Sequence, residues 1–563
     1  MASVCSLVAL CAFYVLAFIP SGQTSIESSA ACPLLGPAFP APRAPHNSTA
    51  IRSACYLFDT ALKAAFSHPT VYGQLDPNST SFSIDLYSAA DGRSLYTHHY
   101  SAPDNAHPAD GSAASVDSNT VYRLGSVSKL LTAYTFLVTA GDISFNEPVT
   151  NFIPELATYA ALNAATLLDS DIDTFDFADI TLGTSQIAAF PQQKWQSWVF
   201  HQSQRRTSLS AAYLEWTYHA IEALSSLTSS SNIPLENITS TSFPNIFMDS
   251  LIKPLKLNAT TYAMPTSNCN SVIPINASIS YYDIDTRDET PAGGYHSSLK
   301  DMRKVGVSIL HSTLLTPSQT RRWMKPQAFT SNPNVSVGAP WEILRAPSAR
   351  NSWLYTKAGN LGLYTSQLAL MPDHNAGFTV LTAGQSGDDI ARIVSDMIAS
   401  IFVPAFEEAA REEASAIYSG TYSSGNSSIT ITTDSQPGLL ITSWTNQGSD
   451  FFSALASLNA VSADQTVGSD LSVRLYPTGL NSNDGTKVSY RAVYTVMPQA
   501  LDPGAFSFDC WMWVQVDQVT YGGIGQDEFV FNFEKGRGRA VSVEPRVLRT
   551  QLRATKTLKA AEA

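Results

Sequence analysis

The stretch from Tyr122 to Val138, Tyr-Arg-Leu-Gly-Ser-Val-Ser-Lys-Leu-Leu-Thr-Ala-Tyr-Thr-Phe-Leu-Val, marks a change from extended polar sequence to a helical pattern. Apolar residues recur here at the spacing of one helix face, and these are Leu130, Leu131, Tyr134, Phe136 and Leu137. Ser126 and Lys129 stand three residues apart at the start of this predicted helix, so we expect their side chains on one face. Because a helix N-terminus favours negative charge, the pair suits a serine nucleophile with a lysine base.

The Ser-x-x-Lys spacing alone does not single out Ser126, because it recurs at Ser250–Lys253 and at Ser297–Lys300. The first of these repeats falls inside a predicted helix just before Pro254, and the second is typical of a helix N-cap. A capping serine followed by a solvated lysine is therefore the structural alternative for Ser126–Lys129 as well.

A second candidate element is Lys357-Ala358-Gly359-Asn360, inside a predicted strand from Trp353 to Leu370. Glycine is a poor choice within a strand unless backbone or ligand must approach closely, which we expect at Gly359. The alternative is an edge-strand lysine with no chemical role. Together with Ser126–Lys129, the pattern is similar to S-x-x-K followed by K-T-G, the motif pair of penicillin-recognising serine enzymes, with Ala358 at the place of the threonine.

The composition indicates a globular protein of more than one domain. The chain has 563 residues, of which 44% are hydrophobic and 14% charged, and its formal net charge is -13. This length can bury a large core, and the charge argues against nucleic acid or an anionic membrane surface as a partner. No Cys/His cluster suggests a metal site, and we expect neither a metal nor another cofactor.

The N-terminus favours secretion. An apolar run from Leu7 to Ile19, ended by Pro20, is too short to span a bilayer comfortably and has the length of a signal-peptide core, so we assign residues 1–24 to a signal peptide. A buried helix or an anchor is the alternative. An extracellular location would expose seven candidate glycosylation sequons, which begin at Asn47, Asn78, Asn237, Asn258, Asn276, Asn334 and Asn426.

Cysteine usage agrees with an oxidising compartment. Removal of the signal would leave four cysteines, an even set that could form two disulfides. They are Cys32, Cys55, Cys269 and Cys510, and we suggest a local pairing of Cys32 with Cys55.

Two domains follow the signal in our interpretation, residues 25–412 and residues 413–563. The first contains a predicted helix at Ala50–Phe66, a hairpin formed by Ser81–Leu86 and Ser94–Tyr100, and a long helix at Asp388–Tyr418. Beyond Ser419, short alternating runs separated by Gly, Asn, Asp and Ser turns predict an all-β module.

With these elements placed, the sequence resembles the serine β-lactamase and penicillin-binding-protein superfamily. The likeness is greatest to its class C-like, esterase-like branch, in particular to secreted fungal β-lactamase-related proteins with a C-terminal β domain. The order and separation of six blocks carry the resemblance: Val121–Thr132, Asn146–Leu156, Leu251–Tyr262, Pro291–Asp301, Trp341–Arg345 and Tyr355–Gly384. It implies an α+β catalytic domain, with an antiparallel sheet beside a helical part and the active site between them.

The resemblance also implies roles for the candidate residues. Ser126 would be the acylated nucleophile and Lys129 its base, provided that burial or a nearby cation lowers the pKa of this lysine. Lys357 would supply that cation and hold a substrate carboxylate or carbonyl. The backbone N–H groups of Ser126 and of Asn360, next to Gly359, would form the oxyanion hole.

The sequence departs from the family pattern at two motifs. The family's Tyr-x-Asn motif is best matched by Tyr213-Leu214-Glu215, where glutamate replaces asparagine, so Tyr213 is either the third catalytic residue or a core tyrosine of its helix. A family block expected between about residues 183 and 213 is missing, which indicates either divergence or an error in the predicted sequence. Ala358 replaces the usual threonine or serine of the third motif.

Two functions remain open at this stage. The first is a secreted serine hydrolase or acyltransferase acting on a small-molecule ester, amide, thioester or lactam, and the second is a catalytically impaired scaffold of the same fold. An α/β-hydrolase is disfavoured, because no G-x-S-x-G elbow exists in the sequence. The sequence does not select the substrate, the oligomeric state or the role of the β module.

Overall fold

The computed structural model describes residues 36–76, 78–105, 112–152, 181–182, 232–265, 270–348, 352–454, 471–496, 516–536 and 538–555. These residues divide into two compact units, Gly36–Ser419 and a second that begins at Gly420. The predicted boundary between residues 412 and 413 falls inside a helix that continues to Tyr418. The last turns of this helix stay in the first unit, because Glu412 and Glu413 accept hydrogen bonds from Ser48 and from the Arg43 backbone.

The first unit mixes helices with antiparallel strands. Its helices are α1 (Thr49–Ser67), α2 (Ser128–Ala140), α3 (Asn232–Thr239), α4 (Phe243–Phe247), α5 (Lys253–Leu255), α6 (Ala277–Ser280), α7 (Leu299–Leu310), α8 (Pro317–Trp323) and α9 (Gly387–Tyr418). Its strands are β1 (Thr80–Ser88), β2 (Ser94–Tyr100), β3 (Val121–Arg123), β4 (His296–Ser298), β5 (Ala328–Phe329), β6 (Val335–Val337), β7 (Glu342–Arg345), β8 (Trp353–Leu361), β9 (Tyr364–Met371) and β10 (Ala376–Gly384).

Eight of the described strands form one antiparallel sheet in the order β2-β1-β10-β9-β8-β7-β6-β5. The central strands β1 and β10 pair over their full length, from Thr80 opposite Gly384 to Ser88 opposite Ala376. Every residue of both strands is buried, since helices cover both faces of the sheet at this point. The α+β architecture expected from the sequence is therefore confirmed.

Two apolar cores lie on opposite faces of this sheet. Helices α1 and α9 cover one face, where the rings of Phe58 and Phe402 have centroids 5.7 Å apart. Helices α2 and α7 cover the other, where Tyr134 stacks on Trp323 at 5.4 Å. Burial of each such aromatic side chain contributes about 1.5–3 kcal/mol to folding. The two cores therefore stabilise the packing of helices on both faces of the sheet.

The predicted hairpin and the predicted helices at Ala50–Phe66 and Asp388–Tyr418 are confirmed as β1–β2, α1 and α9. The prediction of one strand from Trp353 to Leu370 was wrong, because this segment forms the two strands β8 and β9. The turn between them contains Gly362 at a φ of +57°, a left-handed conformation that glycine adopts without strain. Leu361 and Leu363 stand on either side of Gly362, so the apolar pattern of a strand continues through the reversal.

The second unit is the predicted all-β module, and its strands close into a barrel. The strands are β11 (Gly420–Ser424), β12 (Ser427–Thr432), β13 (Leu439–Asn446), β14 (Ser449–Asp450), β15 (Leu471–Asn481), β16 (Lys487–Val496), β17 (Thr520–Tyr521), β18 (Ile524–Gly525), β19 (Glu528–Phe533), β20 (Ala540–Pro545) and β21 (Leu552–Ala554). The antiparallel order is β12-β11-β21-β20-β19-β16-β15-β13, and β13 then pairs back onto β12. Aromatic side chains such as Trp444, Phe529 and Phe531 are buried here.

The candidate modification sites differ in what the structure says of them. Asn276 caps helix α6 by accepting the backbone N–H of Ile279, whereas the other six sequon asparagines are exposed. Among the described residues Cys55 has no disulfide partner, and its pairing with Cys32 stays a prediction. Cys32, Cys269 and Cys510 lie outside the described residues. Within the described ranges, no helix combines the length and apolar character needed to cross a bilayer.

Candidate active site

Ser126 and Lys129 lie together at the start of α2, as the sequence predicted. Ser126 belongs to a short 3-10 turn, Gly125–Val127, that leads directly into the helix, and Lys129 lies in the first helical turn. The Lys129 Nζ is 3.1 Å from the Ser126 Oγ. The predicted apolar stripe of α2 is buried, so the helix holds this pair rigidly.

The turn that carries Ser126 is pressed against strand β8. A Cβ atom added to Gly359 would lie 2.3 Å from the Leu124 carbonyl oxygen and 2.7 Å from the Ser126 nitrogen. From the other side, a Cβ on Gly125 would lie 2.6 Å from the Asn360 nitrogen. The close approach predicted at Gly359 is thus confirmed, and it requires glycine on both sides.

This close approach, which we call the Gly125–Gly359 junction, also brings together the two candidate oxyanion donors. The backbone nitrogen atoms of Ser126 and Asn360 lie on the two facing segments, each against the partner glycine. The Ser366 hydroxyl donates to the Leu124 carbonyl at 2.5 Å and fastens the turn to the neighbouring strand β9. Both backbone nitrogen atoms therefore lie at the contact that positions the Ser126 turn.

Lys129 is held in a position that favours its neutral form. Its Nζ donates to the Ala292 carbonyl at 2.9 Å, and its side chain is largely buried. Burial, and then the charge of the nearby Lys357, lower the pKa of Lys129 from 10.5 to about 8. The carboxylates of Glu289 and Glu342 act in the opposite direction. A useful fraction of neutral amine therefore exists near pH 8.

Lys357 is not an edge-strand lysine without a partner. It is buried in β8, where its Nζ is ion-paired with Glu342 of β7 and donates to the Ala358 carbonyl at 2.8 Å. The second Glu342 oxygen accepts the Ala358 backbone N–H at 2.9 Å. Glu342 was not among the residues predicted for the site. The signal for it was a glutamate within the block Trp341–Arg345, on the strand next to the lysine strand.

The segment Thr290–Gly294 packs against the first turns of α2 and contains the Ala292 carbonyl that binds Lys129. Side chains on the first turns of the helix bind its backbone: Thr132 donates to the Pro291 carbonyl at 2.7 Å, and Ser128 accepts the Tyr295 N–H at 3.1 Å. These bonds fix the position of the Ala292 carbonyl that binds Lys129. The segment Thr290–Gly294 thus helps to orient Lys129.

Arg123 anchors the strand that precedes the Ser126 turn. Its guanidinium is buried and donates to three carbonyl oxygens, those of Tyr281, Tyr282 and Ile284, at 2.6, 3.1 and 2.9 Å. Across the β3–β4 pair lies His296, whose pKa is lowered to about 3 by burial and by Arg123. This histidine is therefore neutral at ordinary pH and is too weak a base to replace Lys129.

The other two Ser-x-x-Lys pairs have the structural roles that the sequence suggested. Ser250 bonds to Thr139 at 3.0 Å while Lys253 is exposed and pairs with Asp249. Ser297 bonds to Thr260, its neighbour Ser298 caps α7, and Lys300 is exposed. Neither lysine approaches its serine as Lys129 does.

Two further predictions concern groups that could complete the site. Tyr213, the candidate third catalytic residue, lies outside the described residues. In the part of the chain that the structure describes, no group of three or more His, Cys, Asp or Glu side chains is arranged to hold a metal ion.

The fold and the placement of this serine–lysine pair define the class of protein. An antiparallel sheet clamped between helices, with a Ser-x-x-Lys helix against a Lys-x-Gly strand, is the β-lactamase/transpeptidase-like fold. The family model described as Beta-lactamase matches residues 86–400, and the chain belongs to this family. A second family model, described as Beta-lactamase-like-like, C-terminal domain, matches residues 410–556.

Similar proteins come from fungi and bacteria. The Beta-lactamase-like protein of Arthroderma benhamiae is 27% identical and covers 94% of this chain and 97% of its own. The Probable hydrolase M10 of Phoma sp. is 26% identical over 83% of each chain. Among solved structures, a beta-lactamase from Sulfitobacter sp. EE-36 has 14% identity and a TM-score of 0.43 and covers 63% of this chain and 99% of its own.

The Gly125–Gly359 junction leads to a prediction about Gly359→Ala. The added methyl group has no room against backbone atoms at 2.3–2.7 Å, so the strand and the Ser126 turn must separate. We expect a loss of about 1–3 kcal/mol of unfolding free energy, within the range known for overpacking. Urea unfolding monitored by circular dichroism measures this loss.

A matched control is Gly538→Ala, where a Cβ meets nothing within 4 Å. This variant should stay within about 1 kcal/mol of the unsubstituted protein. Equal unfolding free energies for the two alanine variants would contradict the close approach.

Proposed function

We propose that the protein is a serine hydrolase that cleaves or transfers an acyl group through an acyl-Ser126 intermediate. The observation that carries this proposal is the 3.1 Å contact between the Lys129 Nζ and the Ser126 Oγ, with the pKa of Lys129 lowered to about 8. The site residues that the resemblance implied, apart from Tyr213, meet at this one place in the structure. The hydrolase names of similar fungal proteins agree with this activity class.

In the proposed acylation, Lys129 carries the serine proton to the leaving group. Neutral Lys129 accepts the hydroxyl proton of Ser126 while the Oγ bonds to the substrate carbonyl carbon and the carbonyl π pair moves to oxygen. Collapse of this intermediate expels the leaving group, which takes the proton from Lys129. Water, or another acceptor alcohol or amine, then attacks the acyl-Ser126 carbonyl. Lys129 accepts the proton of this nucleophile and returns it to the Ser126 oxygen, which is now the leaving group.

Charge that develops on the carbonyl oxygen needs donors that are already in place. The backbone N–H groups of Ser126 and Asn360 are the proposed donors, because the Gly125–Gly359 junction holds both segments beside the nucleophile. Removing one such donor in serine hydrolases typically costs a hundred-fold or more in rate, roughly 3–4 kcal/mol. We therefore assign much of the rate enhancement to this junction of two backbone segments.

A catalytically impaired binding scaffold is the competing proposal. Its motivation is the altered Tyr213-Leu214-Glu215 motif, which lies outside the described residues. The intact Ser126–Lys129 contact favours the enzyme. An activity-based probe separates the two, because only an activated serine reacts with it.

We expect a fluorophosphonate probe to label the folded protein, and we expect Ser126→Ala to lose at least a hundred-fold of this labelling. The reason is that the serine oxygen displaces fluoride from the probe and becomes phosphonylated, which requires a neighbouring base to remove the serine proton. In-gel fluorescence, followed by mass spectrometry of the labelled peptide, gives the extent and the position of labelling.

The control is Ser250→Ala, which changes a serine of the same Ser-x-x-Lys spacing whose lysine is exposed. Its labelling should match that of the unsubstituted protein. Absence of labelling in a folded, unsubstituted protein would reject the hydrolase and favour the scaffold.

The labelling rate should rise with pH and level off above about pH 8. Lys129 is protonated below its pKa and cannot then accept the serine proton, so the rate should fall about ten-fold per pH unit well below 8. Lys357→Met removes a cation that lowers this pKa, so its midpoint should move to higher pH. Second-order labelling rates between pH 6 and 10 measure both midpoints.

Glu342→Gln provides the opposite control, because the Glu342 carboxylate raises the pKa of Lys129. Its midpoint should move to lower pH. Midpoints that shift in the same direction in Lys357→Met and Glu342→Gln would refute this electrostatic account of the base.

We also propose that the protein is secreted. The support comes from the apolar run Leu7–Ile19 and from the seven sequons, most of which are exposed. A tagged chain expressed in a fungal host should reach the medium with a new N-terminus near residue 25 and lose mass after endoglycosidase treatment. Retention of the full-length chain in the cell, as expected for a control that lacks Leu7–Ile19, would count against secretion.

A further inference from the structure

A chain of hydrogen bonds connects the edge strand β2 with the strand that leads into the Ser126 turn. His99 of β2 lies opposite Ser83 of β1, and its Nδ1 is 2.9 Å from the Ser83 Oγ. The Ser83 Oγ is also 2.9 Å from the phenol oxygen of Tyr122 in β3. On the other side of the ring, the His99 Nε2 is 3.1 Å from the Ser118 Oγ. The imidazole therefore holds both ends of the segment from Ser118 to Tyr122, the second end through Ser83.

This segment continues directly into the turn that carries the nucleophile. Tyr122 is the middle residue of β3, a three-residue strand that pairs with β4 in a two-stranded sheet outside the main sheet. Because two strands alone are only marginally stable, side-chain contacts help to fix the position of β3. The Leu124 carbonyl, two residues after Tyr122, is part of the Gly125–Gly359 junction. A displacement of Tyr122 would therefore reach the Ser126 turn.

The number of hydrogens in this chain fixes its direction when His99 is neutral. Tyr122 and Ser83 are fully buried, so both hydroxyl hydrogens need acceptors. Within the described ranges, the Tyr122 phenol bonds to Ser83 alone. The phenol then donates to Ser83, Ser83 donates to the His99 Nδ1, and the Nε2–H donates to Ser118. Every buried hydrogen has an acceptor in this arrangement, which requires the Nε2–H tautomer of His99.

Protonation of His99 disrupts this arrangement. An imidazolium carries a hydrogen on both ring nitrogens and cannot accept the hydrogen of Ser83. Ser83 must then accept a hydrogen bond from Nδ1, which leaves either its own hydrogen or that of Tyr122 without an acceptor in the interior. Because an unsatisfied buried donor is costly, acid weakens the contact that holds Tyr122.

The groups around His99 agree with a neutral ring. Burial lowers the pKa of His99 below its usual value, and the Asp117 carboxylate, in the loop before β3, opposes this effect only in part. His98 points to the opposite face of β2, and burial lowers its pKa as well. Burial raises the pKa of the Tyr122 phenol, which is therefore uncharged. From α7, Lys300 contributes its backbone N–H to the loop before β3, while its side chain is exposed.

We propose that His99 is a positioning residue and a pH switch for the Ser126 site. In its neutral form it accepts the Ser83 hydrogen and so holds Tyr122 and the Ser126 turn in place, and in its protonated form it releases them. It acts through Ser83 and Tyr122 rather than through the substrate. The inference rests on the proposed acyl-Ser126 function and adds an acid limit that is separate from the titration of Lys129.

The test compares the unsubstituted protein with His99→Asn. The asparagine Oδ1 takes the place of Nδ1 as acceptor for Ser83, but an amide does not titrate between pH 5 and 8. At each pH the fluorophosphonate labelling rate of the variant is divided by that of the unsubstituted protein, so the titration of Lys129 cancels. We expect a ratio near 1 above pH 7 that rises at least three-fold by pH 5. A ratio that stays constant or falls in acid would overturn the inference.

Two further variants separate the hydrogen bond from a general structural effect. His99→Leu offers no acceptor to Ser83, so we expect its labelling rate at pH 8 to fall at least three-fold below that of His99→Asn. Equal rates for these two variants would overturn the role of the hydrogen bond. His98→Asn changes the neighbouring imidazole on the opposite face, and its ratio should not change with pH. A rise as large as that of His99→Asn would contradict a specific role of His99.

Spectroscopy tests the direction of the hydrogen bonds without any labelling reaction. In protein with ¹⁵N-labelled histidine, the His99 signal is the one that His99→Asn lacks. We expect the Nε2–H tautomer at pH 8 and a titration midpoint below the usual histidine value. Ser83→Ala should raise this midpoint, because the neutral ring loses the hydrogen bond that favours it. An Nδ1–H tautomer, or a midpoint that Ser83→Ala leaves unchanged, would overturn the proposed coupling.

Failure of the proposed function gives a different pattern from failure of this inference. If the fluorophosphonate does not label Ser126 at any pH, the acyl-serine function fails, and His99 then has no nucleophile to position. If Ser126 is labelled but the ratio for His99→Asn does not change with pH, the hydrolase stands and only the switch is lost.

Discussion

The contact on which the rest of this site depends is the junction of two backbones at Gly125 and Gly359. Neither segment leaves room for a Cβ atom, so helix α2 and strand β8 meet at a separation that only glycine permits. This contact fixes the position of Ser126. Strand β8, which carries Gly359, fixes the positions of Asn360 and Lys357. The helical layer and the sheet are thus joined at the point where the chemistry would take place, and the two apolar cores keep them there.

The charged groups around Lys129 lower its pKa, and they remain paired with one another. Burial penalises the charged form of Lys129, and the neighbouring Lys357 adds to this effect. Lys357 is itself buried, which would be costly for an isolated ammonium group, and Glu342 offsets that cost by pairing with it. The ion pair therefore stabilises the cation that lowers the pKa of Lys129, and it also limits the size of that effect.

The sequence identifies those parts of the site that depend on local pattern. Ser126 and Lys129 are recognisable because helical spacing places them on one face. Gly359 is recognisable because glycine weakens a strand and so indicates a close approach of backbone or ligand. Glu342 and the Ala292 carbonyl were missed, since their roles arise from strand register and from a distant turn, neither of which appears in local spacing. The reversal at Gly362 was missed because its flanking residues are apolar and continue the strand pattern. The barrel was expected only as an all-β module, because closure depends on the pairing of β12 with β13 and of β11 with β21.

The pairing of β11 with β21 has a consequence for biosynthesis. Tyr422 in the first strand of the barrel lies opposite Ala554 in its last strand, so the ring of strands cannot close until residues 552–554 have left the ribosome. The first unit also joins distant strands, since β1 pairs with β10, but this sheet is complete once Gly384 has been made. Domains generally fold as units during synthesis, N-terminal first. The first unit can therefore assemble while the barrel is still being translated, and a chain that stops before Leu552 would release an intact sheet followed by an open barrel with unpaired strand edges.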